Sequence, residues 1–392
     1  MDRAILHCDL NNFYASVECM LHPELKNEYI IVGGSEQDRH GIVLAKNNKA
    51  KACGIKTGEA VWQARQKCKG LVVVPPHHDE YAKYSKLVQN IYYKYTNLIE
   101  PFGIDECWLD VTGSTRLFGK PSDIAFKIKE EVKSQLGLTI SVGVSYNKIF
   151  AKLGSDLKKP DAVTEISSRD FREKIWWLPA SSMIGIGKST KAKLDRYCIH
   201  TIGDLAKCNV DFLIHKFGKV GYDLWCNANG QNRSPVKDFL YSEDVKSVGH
   251  GTTTSKDLSS NEQVWKLILY LSESVASQLK NKNMVAGVIQ LEIKDNEFST
   301  FSHEGKIAYS TDSSLIIAKK AYELFIKSYP WKKNIRALTV RTKSLQSRDI
   351  PLQLDLLCSY DSQLKQEKAE YVVNDIRKRF GNNKICFARL LK

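Results

Sequence analysis

The run Ile5-Leu6-His7-Cys8-Asp9-Leu10 is apolar, ends on a carboxylate and passes at once into Asn11-Asn12-Phe13-Tyr14. An apolar run bounded by turn residues reads as a buried strand. Asp9 then stands where the strand leaves the core, with Phe13 and Tyr14 held just beyond it. Far along the chain, Glu100-Pro101-Phe102-Gly103-Ile104-Asp105-Glu106-Cys107-Trp108-Leu109-Asp110-Val111 places two carboxylates between two short apolar segments. Consecutive strand residues point to opposite faces, but at a hairpin tip both can converge on one point. Three carboxylates gathered at strand ends make a hard-oxygen site suited to magnesium. Two such ions are the usual device for in-line attack on phosphorus. The plainer alternative for Asp105 and Glu106 is a pair of solvated turn residues.

Between and after these stretches the periodicity alternates. A helix is expected from Asp79 to about Leu98, with Tyr84, Leu87, Val88, Ile91 and Tyr95 at helical spacing. The hairpin strands follow, then a helix from Ser122 to Leu136 stopped by Gly137 and a strand over Leu138–Val144. Strand, helix, strand, strand, helix, strand is the split βαβ order. Lys148 and Lys152 fall on one side of a further helix that Pro160 closes. Gly185 and Gly187, followed by Lys188 and Lys191, tighten a turn between two helices and present N–H groups to an anion, the pattern of a DNA-gripping helix-hairpin-helix. Residues 231–243 read as a polar linker. Beyond it strand and helix recur in the same order: 247–254, 261–280, 285–293, 298–309, 312–328 and 335–342, then a helix over 363–380. The fold class is α+β and multidomain.

With 392 residues the chain has room for two to four domains, and 43% hydrophobic with 26% charged residues describes a globular chain. A net charge of +14 points to a polyanion, and nucleic acid is favoured over a membrane because no apolar anchor accompanies the charge. The ten cysteines contain no Cys-x-x-Cys pair, which argues against zinc and against a disulfide framework. No targeting segment is expected ahead of the first strand, so a cytoplasmic protein is expected.

The stretch from Asp9 to Glu18, together with Gly103-Ile104-Asp105-Glu106, resembles the Y-family translesion DNA polymerases, most closely the bacterial DNA polymerase IV branch, over essentially the whole chain. The resemblance implies a right-hand polymerase: palm (1–10 and 77–166), fingers (11–76), thumb (167–230), linker (231–243), little finger (244–350) and a C-terminal segment (351–392). It implies metal ligands at Asp9, Asp105, Glu106 and the Leu10 carbonyl, with Asp105 and Glu106 catalytic and two Mg²⁺ bound, Mn²⁺ being a second candidate. Tyr14 corresponds to the steric gate, where a ribose hydroxyl would collide with the ring. Phe13, Tyr14, Asn48, Lys51 and Lys159 correspond to nucleotide-binding positions, and Lys246, Arg336 and Arg341 to the DNA face of the little finger. Gln353, Leu354, Leu356 and Leu357 resemble the peptide that docks on a sliding clamp, with a plain strand as the alternative.

The chain departs from the family pattern at Asn11, where a second Asp is common, at Gly103, where Ser is common, and at Ala45, Asn48 and Lys51 in the fingers loop. The implied activity is distributive, low-fidelity, template-directed synthesis past damaged bases, by a monomer acting on primer-template DNA and dNTPs in the bacterial cytoplasm and nucleoid. The alternatives are a nucleotidyl cyclase sharing the palm, or a catalytically weak or silent DNA- and clamp-binding protein of the same fold.

Overall fold

In the computed structural model the run that opens the chain is the middle strand of a five-stranded sheet. The structure describes residues 3–35, 39, 41–241, 244–351, 360–381, 384–385 and 387–388; Gln353, Leu354, Leu356 and Leu357 lie outside the described residues. The chain divides into two units, Met1–Glu36 with Gly41–Tyr241, and Gln37–His40 with Ser242–Lys392.

The first unit begins with β1 (Ile5–Leu10), α1 (Phe13–Leu21), β2 (Ile30–Gly33), β3 (Val43–Lys46), α2 (Asn48–Ala52), α3 (Val61–Lys67), β4 (Val72–Val74) and α4 (His78–Tyr93). It continues with β5 (Ile99–Phe102), β6 (Glu106–Asp110), α5 (Thr115–Phe118), α6 (Pro121–Leu136), β7 (Ile140–Ser145), α7 (Lys148–Leu157) and β8 (Val163–Ile166). Five short helices close it: α8 (Phe171–Ile175), α9 (Lys188–Asp195), α10 (Ile202–Lys207), α11 (Val210–Phe217) and α12 (Lys219–Ala228). The main sheet has the order β5-β6-β1-β7-β8, and β2, β3 and β4 form a separate sheet within the insertion after β1.

All of β1 is buried, which is why it reads as a continuous apolar run. Leu6, Cys8 and Leu10 enter the core that contains Tyr81, Val88 and Tyr92 of α4 and Ile124, Ile128 and Val132 of α6. Ile5 packs on the other face, with Trp108 and Ala151; His7 and Asp9 share its parity and point the same way. On that face α7 lies almost against the strands, because β7 carries Gly143. A Cβ there would stand 1.8 Å from the Ala151 carbonyl oxygen and 2.5 Å from the Ser155 nitrogen.

Several expectations need correction. The helix read to Leu98 ends at Tyr93, and the Thr96 hydroxyl donates to the Asp110 carbonyl at 2.7 Å, turning the chain into the sheet. The sheet gains β8, parallel to β7, which the sequence pattern did not disclose. Only a 3₁₀ turn, Ala180–Ser182, precedes the glycine turn at 185–187, because the few residues between Pro179 and Gly185 are too short to nucleate an α-helix. The polar stretch 231–241 has no regular structure but is strapped down: Arg3 donates to the Ser234 carbonyl at 3.0 Å, and the Phe239 N–H to the Asn97 carbonyl at 2.9 Å.

The second unit contains β9 (Ser247–Leu258), α13 (Asn261–Asn281), β10 (Met284–Asp295), β11 (Thr300–Thr311), α14 (Ser314–Ser328), β12 (Ile335–Ser347) and α15 (Asp361–Phe380). Its sheet has the order β11-β10-β12-β9, all pairs antiparallel. Ile289, Leu291, Ile293, Leu338 and Val340 face the helices and meet Val264, Ile268, Leu271, Val275 and Phe325. α15 docks through polar contacts: the Tyr371 hydroxyl donates to buried Asp312 at 2.6 Å, and Glu370 accepts from the Ser314 N–H at 2.7 Å. No helix among the described residues is long and apolar enough to cross a membrane.

Gly143→Ala should destabilise the protein by on the order of 3 kcal/mol through backbone overlap with α7. Chemical denaturation of the two proteins checks it; equal midpoints would contradict the close packing described.

Candidate active site

Antiparallel pairing of β1 with β6 sets Asp9 opposite Glu106, so the two carboxylates share one face of the sheet. Asp105 closes the turn between β5 and β6, and its carbonyl accepts from the Leu10 N–H at 3.0 Å. Gly103 opens that turn at φ +83°. A serine there would be strained, so the departure from the family pattern serves the turn itself. The Ser85 hydroxyl fixes the next carbonyl, that of Ile104, at 2.5 Å.

Like charges opposite each other on a sheet repel, and lysines from α7 and the segment after it answer them. Lys152 Nζ stands 2.5 Å from Glu106 Oε2. Lys159 Nζ stands 2.6 Å from Asp9 Oδ2 and 2.8 Å from Asp156. From beneath, fully buried His7 brings Nε2 to 3.2 Å from Glu106 Oε2, while its Nδ1 lies 2.8 Å from the Ser155 hydroxyl. The side-chain positions push the acids apart. Burial raises Asp105, and the charges of Asp9 and Glu106 raise it further, to about 6. Burial acts on Glu106 as well, but contacts with His7 and Lys152 outweigh it and hold the group at about 2. Asp9 is raised by burial, with Lys159 opposing.

The Tyr14 ring stacks on Tyr81 with centroids 4.1 Å apart and planes at 12°. Tyr81 in turn donates its hydroxyl to Glu18, a fully buried carboxylate that also lies 2.9 Å from His77 Nδ1. Burial and then the charge of Asp105 raise the Tyr14 phenol, so the ring lies within electrostatic reach of the acids. Phe13 is 3% exposed, and its ring packs in the core.

Beside Asp9 lies a hollow of about 140 Å³ lined by Asp9, Asn11, Asn12, Asn48, Lys51, Lys159 and Pro160. Asn12 adopts a left-handed backbone, φ 50°, and donates to Asn48 Oδ1 at 2.9 Å, joining the first helix to the second. Asn11 is engaged at both ends: its amide donates to the Ser141 hydroxyl at 2.9 Å and accepts from the Asp161 N–H at 2.9 Å. The structure therefore gathers Asp9, Asn48, Lys51 and Lys159 around one hollow, with Leu10, Asp105, Glu106 and Tyr14 adjoining through β1, β6 and α1.

Elsewhere, Gly187 caps α9, Lys188 is exposed in its first turn, and Lys191 pairs with Asp195 at 2.6 Å. In the second unit Lys246 and Arg341 are exposed, Arg341 facing Gly249 across the open side of the sheet. Arg336 lies over the Phe298 ring at 5.0 Å.

Sequence reasoning assigned no role to His7, Ser155 or Lys152. The one available signal was spacing: His7 shares the strand parity of Asp9, and Lys152 follows Lys148 by one helical turn.

The donors are hard oxygens, and Asp105 is raised first by burial and then by the charges of Asp9 and Glu106, so the set is of the kind that suits a divalent cation of the magnesium type. Among the described residues no three acidic, histidine or cysteine side chains are grouped closely enough to hold a metal ion as they stand. Lys152 and Lys159 each hold one oxygen of a carboxylate and keep the trio open.

Residues 8–156 match the model of the impB/mucB/samB family, and residues 245–356 match that of the family's C-terminal domain. The chain is 51% identical over 381 residues to DNA polymerase IV of Acetivibrio thermocellus, covering 97% of this chain and 96% of the relative. It is 34% identical to DNA polymerase IV 1 of Bacillus subtilis, covering 100% of this chain and 94% of the relative. Among solved structures a chimeric Y-family DNA polymerase superposes with a TM-score of 0.77 at 24% identity, over 88% of this chain and 99% of that one, a likeness of fold.

Because Asp105 is raised from 3.8 to about 6, the fold disfavours its charged form, and this contribution to stability is present below pH 3.8 and lost as pH rises through 6. Asp105→Asn should therefore stabilise the metal-free protein at pH 7.5, by on the order of 1 kcal/mol after allowance for solvent screening. Thermal unfolding in chelator, compared at pH 7.5 and pH 5, should show the gain shrinking at the lower pH.

Proposed function

The chain belongs to the Y-family of DNA polymerases, and from that premise we propose that it is a template-directed translesion DNA polymerase, adding dNTPs to a primer 3′-hydroxyl with low fidelity and bypassing damaged bases. The observation that carries the reading is Asp9 opposite Glu106 with Asp105 tied to the same strand end, three carboxylates gathered beside Lys152 and Lys159. Asp9, Asp105, Glu106 and the Leu10 carbonyl would hold two Mg²⁺, which when bound activate the attacking hydroxyl and offset charge on the leaving oxygen.

The remaining steps fall to the chain's own side chains. Lys159 and Lys51 flank the hollow beside Asp9 and are suited to a triphosphate, where positioning and charge compensation supply most of the catalysis of phosphoryl transfer. Lys51 does so as a point charge, without the bidentate grip of an Arg. Asn48, held by Asn12, orients the same ligand. Tyr14 is stacked on Tyr81, with the His78 ring edge-on to both, and so meets a 2′-hydroxyl as a braced obstacle.

In this reading residues 1–10 and 77–166 are the palm, 11–76 the fingers, 167–230 the thumb, 231–243 the linker and 244–350 the little finger. Gly185, Gly187, Lys188 and Lys191 of the thumb and Lys246, Arg336 and Arg341 of the little finger contact DNA phosphates in a salt-dependent way. The protein acts as a monomer in the bacterial cytoplasm, at the nucleoid, and the peptide 353–357 docks on a sliding clamp. The names of the relatives favour the polymerase over a catalytically silent binding protein.

Primer extension on an undamaged template and on one bearing a minor-groove guanine adduct tests this. The wild type should extend both in Mg²⁺ and Asp105→Ala neither, with duplex binding retained; failure of the wild type on both would overturn the enzyme reading. Tyr14→Ala should raise ribonucleotide incorporation by at least tenfold relative to dNTP, the smallest change expected when a steric clash worth about 1.4 kcal/mol or more is removed.

A further inference from the structure

The hairpin joining β10 to β11 is built around one buried carboxylate. Asp295 is 1% exposed, and its Oδ1 accepts the N–H groups of Glu297 and Ser299, each at 2.9 Å. The Asp295 N–H is bonded to the Ser299 carbonyl at 3.0 Å, and the Asn296 N–H to the Asn334 carbonyl at 3.0 Å, closing the loop onto the start of β12. This scaffold holds Phe298 in the left-handed region, φ 68°, and leaves it 61% exposed. For a bulky aromatic residue that conformation is a true outlier. Gly or Asn would make the same turn with less strain, and an exposed ring recovers little by burial. Lys294 Nζ lies 5.2 Å and the Arg336 guanidinium 5.0 Å from the ring centroid. Lys332 and Lys333 stand nearby in sequence to Arg336; Lys333 pairs with Glu297 and reaches towards Asp295 at 3.9 Å.

An exposed aromatic ring with cations beside it is an arrangement by which proteins hold single-stranded nucleic acid without reading its sequence: a base stacking on the ring displaces the cations that lie over it, Lys294 and Arg336, to the flanking phosphates. Strain retained at an exposed position is the mark of a site kept for function. We propose that Phe298, with Lys294 and Arg336, is a stacking platform for an unpaired nucleobase of single-stranded DNA. The proposal rests on the polymerase reading only for the source of that strand, the unpaired template; the chemistry of the platform stands without it.

The test is fluorescence anisotropy of a labelled oligo(dT) strand and of a blunt duplex of the same length, with the full chain at fixed salt. Phe298→Gly, which relieves the left-handed strain, should raise the melting temperature and yet weaken oligo(dT) binding by about tenfold, the size expected for loss of one stacked base. Duplex affinity should change by less than twofold. Phe298→Trp should keep oligo(dT) affinity, and the new indole emission should be quenched by oligo(dT) and not by the duplex. Unchanged oligo(dT) binding by Phe298→Gly, an equal loss on both DNAs, or unquenched indole emission would each overturn the proposal. Primer extension by the wild type, run in parallel, reports separately on the polymerase reading.

Discussion

The repulsion between Asp9 and Glu106 across adjacent strands is the constraint on which the rest of the first unit depends. Burying two facing carboxylates, with a third at the neighbouring turn, is costly unless cations and donors lie close. The chain brings them in on α7 and the segment that follows, and α7 can lie near enough only because Gly143 has no side chain. Helix placement, lysine placement and carboxylate geometry are thus one arrangement. The lysines each contact one oxygen of a carboxylate, while burial and the neighbouring acids raise Asp105 to about 6.

The same economy of contacts governs the second side of the site. Tyr14 stands beyond the strand end, but its rigidity is borrowed from Tyr81 and, behind that ring, from the buried Glu18. Asn11 joins the end of β1 to Ser141 at the start of β7 and to the backbone at Asp161, beyond Lys159. Asn11 is thus a structural link between the strand bearing Asp9 and the loop bearing its lysine. Gly103 likewise departs from the family pattern for the sake of its own φ.

Much of the fold was legible because long periodic segments carry their own signal. The helix ended by Gly137 and the seven elements of the second unit lie within a few residues of where their patterns place them. Shorter pieces were not. β8 is a four-residue edge strand, too short for a period to show, and the turn before Gly185 looked like a helix only by analogy with a motif. Among site residues, Asp9, Asp105 and Glu106 were legible as carboxylates at strand ends. Which ring of the pair Phe13–Tyr14 faces the core was not legible, because an aromatic pair does not disclose it.

By itself, then, the sequence determined the buried strand, the hairpin carrying two acids, the order of strands and helices in the second unit and of the first four strands and two helices of the main sheet, and the family. Those are local or pattern properties, written in periodicity and in residue types at fixed spacing. Tertiary structure alone decided that Asp9 meets Glu106 in register, that Lys152 and Lys159 rather than other lysines balance them, and that His7 supports the trio from beneath. Such pairings join residues up to 150 positions apart. They are fixed by strand register and by how closely a helix can approach a glycine, and neither quantity is carried by any local stretch of sequence.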